Sequence, residues 1–336
     1  MKAFEIKDQF GIDALKLTER PDPTPDHSQV VVRVKAVSLN YRDLVTVKHG
    51  GMRNLRLPLI PCSDGAGEVI KIGPGVTRVK PGDRVAGIFL QTWLAGETNA
   101  SYGQSALGGT SDGMLAEQVV LQEDGLVRLP EHLSYEEAST LPCAAVTAWQ
   151  GLVTKGGMKA GDTVLVQGTG GVSIFALQFA VVTGARVIIT SSSDEKLARA
   201  KQLGAAEVIN YKTTPDWDNR VLELTGGEGV DHVVEVGGAG TLEKSFQAVR
   251  VGGTVSLIGV LTGASGQINP LPVLLKSIRL QGIYVGSREM FEAMNRAIVA
   301  HRMRPVIDRV FPFAQTREAL KLMERAAHFG KIVIAL

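Results

Sequence analysis

The sequence has two cysteines, few aromatic residues and almost no net charge. Two cysteines in 336 residues cannot form a disulfide framework, and neither lies in a CxxC pair. The charge balance of 36 − 34 = +2 excludes a strong field toward nucleic acid or an anionic membrane. The longest apolar stretch, residues 172–189, is interrupted by Gln178 and Arg186, and the first 13 residues lack an apolar signal core. We therefore expect a cytoplasmic protein without a nucleic-acid or membrane partner.

Glycine, by contrast, is abundant, with 38 residues, and its turns divide two kinds of pattern. The first ~130 residues contain short β-rich runs such as Val30–Val37, separated by proline and glycine turns, which favours a barrel or sandwich. From about Glu136, buried strands alternate with helices, which is typical of a parallel sheet covered on both faces. Near Asn269 the pattern becomes mixed again. The sequence predicts an α/β protein, with residues 1–127 and 269–336 in one domain and residues 128–268 in the other.

Residues 91–113 fit neither pattern, because they contain five glycines and no hydrophobic periodicity. A structureless segment of this length is either functional or a disordered excursion. Trp93 and Tyr102 in this segment are candidates for the wall of an apolar substrate pocket, and their alternative role is that of surface aromatic residues.

A glycine-rich turn directly follows the predicted strand at residues 163–167. Its residues Gly168, Thr169, Gly170, Gly171, Val172 and Ser173 match GxGxxG/A, with serine in the third small position. A strand precedes the turn, a helix follows it, and a second strand begins about 20 residues later, as the dinucleotide fingerprint requires. We therefore expect a pyrophosphate to bind at the N-terminus of the helix. The alternative is a strand–helix turn without a ligand.

Together with this turn, four further motifs resemble those of the medium-chain dehydrogenase/reductase superfamily, and the resemblance covers essentially the whole chain. The matching segments are residues 38–43 (SLNYRD), 61–69 (PCSDGAGEV), 80–85 (KPGDRV) and 141–148 (LPCAAVTA). The first of them is similar to the N-x-x-D segment of the zinc-independent, quinone-oxidoreductase-like branch. The resemblance implies a GroES-like, mostly-β catalytic domain completed by the C-terminal tail, and an inserted Rossmann-type doubly wound parallel sheet.

The sequence differs from the zinc enzymes of this superfamily at their metal ligands. Asn40 and Ser63 stand where those enzymes have Cys and His, and only Cys143 matches a ligand. Amide and hydroxyl groups are poor zinc ligands, and a catalytic zinc needs three protein ligands. We therefore expect no metal, and we expect Cys143 to be a small buried thiol, with a reactive role as the alternative.

A simple alcohol needs a Lewis acid to help ionise its hydroxyl group before it gives up a hydride. An activated alkene or a quinone accepts a hydride without that help. The resemblance therefore implies reduction of a small apolar electrophile: a quinone, enone, enal or carbonyl compound. Asn40 and Tyr41 lie in the segment that faces the nicotinamide in this branch, and both are candidate catalytic donors. Tyr41 is alternatively a packing phenol, and Arg42 is a candidate partner of Asp43 or Asp64. A zinc-free alcohol or carbonyl dehydrogenase and an NADPH-binding protein with little turnover remain alternatives.

The resemblance implies further cofactor contacts along the chain. Besides Asn40 and the glycine turn, the matching residues are Thr147, Tyr211, Gly259, Val260, Val285, Gly286, Ser287 and Lys331. It also implies a homodimer, and the apolar edge strand predicted at Ile278–Ile283 would form the pairing surface.

The end of the second strand predicts a preference for NADP(H). An NAD site has Asp or Glu there to bind the ribose 2′-hydroxyl, whereas this sequence has Ser191. We expect Ser191, Ser192, Lys196 and Tyr211 to surround a 2′-phosphate. Asp194 is close enough to bind a ribose instead, and Ser192 is alternatively the N-cap of the next helix, with Glu195 completing a capping box.

Overall fold

The computed structural model describes residues 1–51 and 55–336, and these divide into two compact units. Unit 1 contains residues 1–146 and 285–336, and unit 2 contains residues 147–284. The strands are β1 (Lys2–Glu5), β2 (Lys16–Glu19), β3 (Gln29–Ser38), β4 (Asp64–Ile72), β5 (Arg84–Gly87), β6 (Gln118–Gln122), β7 (Leu126–Arg128), β8 (Thr163–Gln167), β9 (Arg186–Ser191), β10 (Glu207–Asn210), β11 (Val230–Glu235), β12 (Val249–Leu257), β13 (Arg279–Gly282), β14 (Ile307–Pro312) and β15 (Lys331–Ala335).

The α-helices of the described residues are mostly short. They are α1 (Tyr41–His49), α2 (Tyr135–Ser139), α3 (Val146–Trp149), α4 (Gly171–Thr183), α5 (Asp194–Gln202), α6 (Trp217–Leu224), α7 (Leu242–Ala248), α8 (Leu271–Leu275), α9 (Arg288–Ala300) and α10 (Thr316–Glu324). Residues 141–145 and 150–154, on either side of α3, form π-helical turns. Among the residues that the structure describes, none of the helices combines the length and the hydrophobicity of a membrane-spanning helix.

Unit 1 is built on a seven-stranded, largely antiparallel sheet. Its order is β14-β15-β3-β4-β5-β7, and β6 also pairs with β3. Strand β3 consists mainly of valine, which suits a pleated strand, and its buried side chains belong to the core of this unit. The last strand, β15, pairs antiparallel with the end of β3, Val333 opposite Ser38. This pairing brings the C-terminal segment next to the residues that begin α1.

Unit 2 is built on a six-stranded parallel sheet in the order β10-β9-β8-β11-β12-β13. Val164, Leu165 and Val166 in β8 are all fully buried, so both faces of this strand are covered. The strand order reverses between β8 and β11, and this order is that of doubly wound dinucleotide-binding sheets. The predicted α/β class, with a mostly-β unit and a Rossmann-type sheet, is therefore confirmed.

The two units divide at residues 146/147 and 284/285, later in both places than the predicted 127/128 and 268/269. Helix α2 packs on β3 and β4, and the Cys143 amide donates to Asp64, so residues 128–146 belong to unit 1. Strand β13 pairs with β12, so residues 269–284 belong to unit 2. The change of sequence pattern near Glu136 therefore precedes the change of structural unit.

Residues 91–113 are folded onto unit 1 rather than structureless. Trp93 is 1% exposed, its ring stacks on Tyr102 with centroids 6.0 Å apart, and its indole N–H donates to the Gly96 carbonyl at 3.1 Å. A short 3₁₀-helix spans Ala100–Ser105. Gly108 and Gly113 lie so close to Cys62 that a Cβ atom at either glycine would meet Cys62 backbone atoms at 2.6 Å or less. Trp93 is thus a buried anchor of this segment and not a surface aromatic residue.

Candidate functional site

In unit 1, the first turn of α1 carries two charged residues that organise the site. Asn40 precedes the helix, and its backbone N–H donates to Asp43 Oδ2 at 2.8 Å. Asp43 is fully buried, and its Oδ1 accepts from Arg42 Nη1 at 3.1 Å and from the Ser63 amide at 3.3 Å. A carboxylate in the first turn is stabilised by the helix dipole. Of the two partners predicted for Arg42, the structure shows Asp43.

Arg42 also connects this helix to the glycine-rich segment. Its Nη1 donates to the carbonyl oxygens of Leu107 and Gly108 at 2.8 and 3.1 Å, and its guanidinium lies 4.8 Å from the centre of the Phe89 ring. A planar guanidinium can combine hydrogen bonds in its plane with a contact to an aromatic face. Residues 107–108 are therefore attached to the same side of unit 1 as Asn40.

The loop before β4 adds a hydroxyl and a second buried carboxyl. Ser63 Oγ donates to Asp64 Oδ1 at 2.7 Å, and Asp64 Oδ2 accepts from the Cys143 amide at 3.0 Å. Burial raises the pKa of Asp64 to about 6, although Lys331 opposes the shift. Because this value lies above the unfolded value of about 3.9, ionisation of Asp64 lowers the stability of the fold as the pH rises from about 4 to 6.

Lys331, in the last strand, completes the cluster. It is 3% exposed, and its Nζ donates to the Leu39 carbonyl at 2.7 Å and to Asn40 Oδ1 at 2.6 Å. Asn40 Nδ2 lies 3.4 Å from Ser63 Oγ. A continuous series of hydrogen bonds thus connects Lys331, Asn40, Ser63 and Asp64. We call these four side chains the buried polar chain.

The residues at the three positions that correspond to zinc ligands do not suit a zinc ion. The Asn40 amide oxygen already binds an ammonium group, and the Ser63 hydroxyl donates to Asp64. Cys143 is thus left as one thiol, which is fewer than the three protein ligands that a catalytic zinc needs. In the described residues, no group of three or more His, Cys, Asp or Glu side chains is arranged to hold a metal.

Tyr41, the other predicted catalytic donor, is the first residue of α1 and is 55% exposed. Its phenol is therefore accessible to a ligand. Asn40, at 8% exposed, lies deeper and is bound to the buried polar chain.

In unit 2, the glycine turn joins β8 to α4 as the motif predicts. Gly168 has a φ of +71°, a left-handed conformation that favours glycine. Ser173 Oγ donates back to the Gln167 carbonyl at 2.7 Å, which closes the turn. Thr169 belongs to the same turn, and Gly171 and Val172 are the first two residues of α4.

Gly170 provides a test of whether a dinucleotide fits this turn. Its φ of −77° and ψ of −175° suit any residue, and apart from Gly170 and its two chain neighbours no residue has an atom within 4 Å of the position a Cβ atom would take. The fold itself therefore does not require glycine there. A side chain would instead occupy the space in front of the helix N-terminus, where backbone amides and the helix dipole attract phosphate. The turn thus fits a pyrophosphate.

Glu235, which the sequence analysis did not single out, is a buried carboxylate beside the point between β8 and β11 where the strand order of this sheet reverses. Glu235, at the end of β11, is fully buried; its Oε1 accepts from the amides of Gly237 and Gly238 at 2.7 and 3.0 Å and from Thr241 Oγ1 at 2.6 Å. Its Oε2 accepts from Gln167 Nε2 at 2.7 Å and from the Ser245 hydroxyl. The visible signal is an acid at the end of an apolar strand, directly before Val236-Gly237-Gly238.

The residues expected to select the cofactor gather at the end of β9. Ser191 is 3% exposed, Ser192 and Lys196 are half-buried, and Tyr211 is 42% exposed. Asp194 Oδ1 accepts from Asn210 Nδ2 at 2.7 Å, so this carboxylate already has a partner. The N-cap of α5 is Ser193, whose Oγ accepts from the Lys196 amide at 3.3 Å, so the alternative assignment of Ser192 as the cap is wrong.

The remaining predicted cofactor residues lie in both units. Thr147 and Gly259 belong to unit 2, as does Val260, which is 48% exposed. A Cβ atom at Gly259 would meet the Val236 carbonyl oxygen at 2.6 Å, so this glycine is required by the fold of unit 2. Val285, Gly286 and Ser287 belong to unit 1, where Val285 has a φ of +48° and buried Ser287 caps α9.

Family models and sequence relatives agree on the class of protein that this chain resembles. Residues 26–131 match the alcohol dehydrogenase GroES-like domain, and residues 171–300 match the zinc-binding dehydrogenase family. A zinc-type alcohol dehydrogenase-like protein of Schizosaccharomyces pombe is 45% identical, over 97% of this chain and 96% of its own. A crotonyl-CoA reductase of Streptomyces avermitilis is 31% identical, over 98% of this chain and 84% of its own.

Solved structures give the same fold with different cofactors. A putative alcohol dehydrogenase of Sinorhizobium meliloti is 44% identical with a TM-score of 0.94, covering 100% of this chain and 98% of its own. A structure described as an NAD-dependent alcohol dehydrogenase is 36% identical with a TM-score of 0.91 over 100% of both chains. A mycobacterial protein complexed with NADPH is 27% identical with a TM-score of 0.83, again over 100% of both chains.

Proposed function

Because the chain belongs to the medium-chain dehydrogenase/reductase superfamily and is an oxidoreductase, we propose that it reduces activated C=C bonds or quinones with NADP(H) and without zinc. The observation that carries this proposal is the buried polar chain. In it the Lys331 ammonium group donates to Asn40 Oδ1, and by the family resemblance Asn40 stands where the zinc enzymes have a metal ligand. A mycobacterial quinone oxidoreductase, 27% identical with a TM-score of 0.83 over 100% of both chains, and the crotonyl-CoA reductase relative support this class of substrate.

Each proposed donor has a distinct part in the reaction. When bound, the reduced nicotinamide supplies a hydride to the electrophilic carbon. Asn40 would help to hold the nicotinamide end of the cofactor, and the accessible Tyr41 hydroxyl would stabilise the negative charge that develops on the carbonyl oxygen of the substrate. Hydrogen bonds of this kind suffice for an acceptor already activated by its own carbonyl group. Tyr41 or solvent then supplies the proton.

The test of this function is oxidation of NADPH and NADH against quinones, enones, enals, enoyl thioesters and saturated aldehydes. We expect turnover with the quinones, enones, enals or enoyl thioesters, unchanged by a chelator, and far less than one zinc per chain by elemental analysis. Turnover restricted to alcohols and saturated aldehydes would support the second candidate, a zinc-free alcohol or carbonyl dehydrogenase, which the names of several relatives favour. Tight NADPH binding without turnover would indicate the third, a binding protein. Activity lost to a chelator and restored by zinc would contradict the metal-free proposal.

We propose that the dinucleotide is NADP(H), because the strand that selects the ribose ends in Ser191 and not in an acid. Ser191→Asp is expected to lower kcat/KM for NADPH about 100-fold, since a carboxylate repels the 2′-phosphate, and to leave kcat/KM for NADH unchanged or raised. Steady-state kinetics with both cofactors measure this change. Asp194→Asn is the matched control, because that carboxylate already binds Asn210. A preference of the unmodified protein for NADH would contradict the proposal.

We also propose a homodimer formed through the edge of the unit 2 sheet. Strand β13 is the last strand of that sheet, and its Leu280 is 42% exposed. In α8, which precedes this strand in the chain, Leu274 and Leu275 are 74 and 70% exposed. An open strand edge with exposed leucines is a pairing surface. Light scattering at micromolar concentration is expected to give twice the chain mass, and Leu274→Asp to weaken the dimer about tenfold or more. Leu17→Asp, on exposed β2, serves as the control, and a monomeric unmodified protein would refute the proposal.

A further inference from the structure

Two side chains join the strands between which the order of the unit 2 sheet reverses. The last backbone pair of β8 and β11 is Val166 opposite Val234. One position further along each strand, Gln167 Nε2 donates to Glu235 Oε2 at 2.7 Å. Gln167 Oε1 accepts from the Val236 backbone N–H at 3.3 Å. The Gln167 side chain thus uses both its donor and its acceptor to continue the contact between the strands where their backbone pairing ends.

Each member of this pair is also connected to a loop at the carboxyl end of its own strand. Gln167 directly precedes the glycine turn. Glu235 Oε1 accepts from the backbone N–H groups of Gly237 and Gly238 at 2.7 and 3.0 Å. The pair therefore fixes the separation between the glycine turn and residues 236–241.

The pair lies below the surface of unit 2. Gln167 is 5% exposed and Glu235 is fully buried. Ser245, also fully buried, accepts from Gln167 Nε2 at 2.7 Å and donates to Glu235 Oε2. A buried network in which every polar group has a partner is rigid, and a hydrogen bond to a carboxylate is among the stronger ones. The separation of the two loops is therefore held by directional bonds.

In open parallel sheets, a ligand binds in the crevice outside the carboxyl ends of the strands, at the point where the strand order reverses. Here that point lies between β8 and β11. We propose that Gln167 and Glu235 are positioning residues that hold the two sides of this crevice at the separation that a dinucleotide needs, without touching it themselves. The proposal rests on the proposed function only in that the chain binds a nicotinamide dinucleotide.

The test is an exchange of the two side chains, followed by titration of cofactor fluorescence with NADPH and with NADH. Gln167→Glu places two carboxylates against each other, and Glu235→Gln places two NH₂ groups against each other. Each single variant is expected to bind both cofactors about tenfold more weakly, because both cofactors contain the same pyrophosphate. The double variant restores an amide–carboxylate bond between the strands and keeps an oxygen toward Gly237 and Gly238. It should bind both cofactors within about threefold of the unmodified protein.

Two further variants separate positioning from stability. Ser256→Ala removes a buried hydrogen bond to the Gly151 carbonyl, 2.9 Å long, from the same sheet. It is expected to lower the melting temperature and to leave the Kd of both cofactors unchanged. Gln167→Met keeps the length of the side chain and leaves Glu235 its other four donors. It covers the case in which the exchanged single variants do not fold, and about tenfold weaker binding is expected.

Unchanged cofactor affinity in the single variants or in Gln167→Met would overturn the proposal. Losses that add in the double variant, or a loss confined to one of the two cofactors, would also overturn it. So would an equal loss in Ser256→Ala, because affinity would then follow stability. If the unmodified protein binds neither cofactor, this proposal fails with it. If it binds them but reduces no acceptor, only the proposed reaction fails, and the binding comparisons still decide the role of the pair.

Discussion

Gly170→Val is expected to weaken the binding of NADPH about 100-fold or more while the protein stays folded. The backbone conformation at Gly170 suits valine, and no residue beyond its two chain neighbours has an atom within 4 Å of the new Cβ position. The added side chain therefore does not collide with the fold, but it fills the space through which a pyrophosphate approaches the amides of α4. Titration of cofactor fluorescence measures the loss.

The unfolding of the same variant provides the control. Because Gly170 is the N-cap of α4, and valine is a poorer N-cap than glycine, we expect a loss of about 1 kcal/mol in the free energy of unfolding. Gly170→Ala, with a smaller side chain, should lie between the unmodified protein and the valine variant in cofactor affinity. NADPH binding by Gly170→Val with unmodified affinity would show that the turn does not hold the pyrophosphate.

Glu235→Ala is expected to have the largest effect on stability. The substitution removes the acceptor of five hydrogen bonds, from Gly237, Gly238, Thr241, Gln167 and Ser245, and leaves buried donors unpaired. Unpaired buried donors and the new cavity together cost about 3–5 kcal/mol. The melting temperature of the full chain, followed by calorimetry, should fall by roughly 10 °C.

Glu228→Ala is the matched control for Glu235→Ala. Glu228 is an exposed acid of the same unit, and its substitution should change the free energy of unfolding by less than about 0.5 kcal/mol. A melting temperature of Glu235→Ala within 2 °C or so of that of Glu228→Ala would contradict the assigned role of Glu235.

The parts of this protein that could be predicted from sequence are those determined by local pattern. The sequence predicts β8 at Thr163–Gln167, which are the bounds that the structure shows, and the glycine turn lies between this strand and α4. The N-cap of α5 differs by one residue, because Ser191-Ser192-Ser193 offers three chemically equivalent hydroxyl groups. Only the path of the backbone decides which of the three faces the helix amides.

The parts that could not be predicted depend on contacts between distant residues. The buried polar chain joins Lys331 to Asn40 across a separation of 291 residues, and no periodicity in the sequence reports such a contact. The burial of Trp93 within a glycine-rich segment depends likewise on a ring contact with Tyr102 and on tertiary packing. Composition alone cannot distinguish such a folded segment from a disordered one.

The pairing of β15 with β3 sets an order of events during synthesis of the chain. Strand β3 ends at Ser38, but its partner begins at Lys331, so the ribosome must translate everything between these two strands before they can pair. Unit 2, which is continuous from residue 147 to residue 284, has all of its strands available earlier. Because domains fold as units during synthesis, the nascent chain can complete its dinucleotide-binding half first. Lys331 reaches Asn40 only after unit 2 has been synthesised, so the nascent protein can form its glycine turn before its buried polar chain.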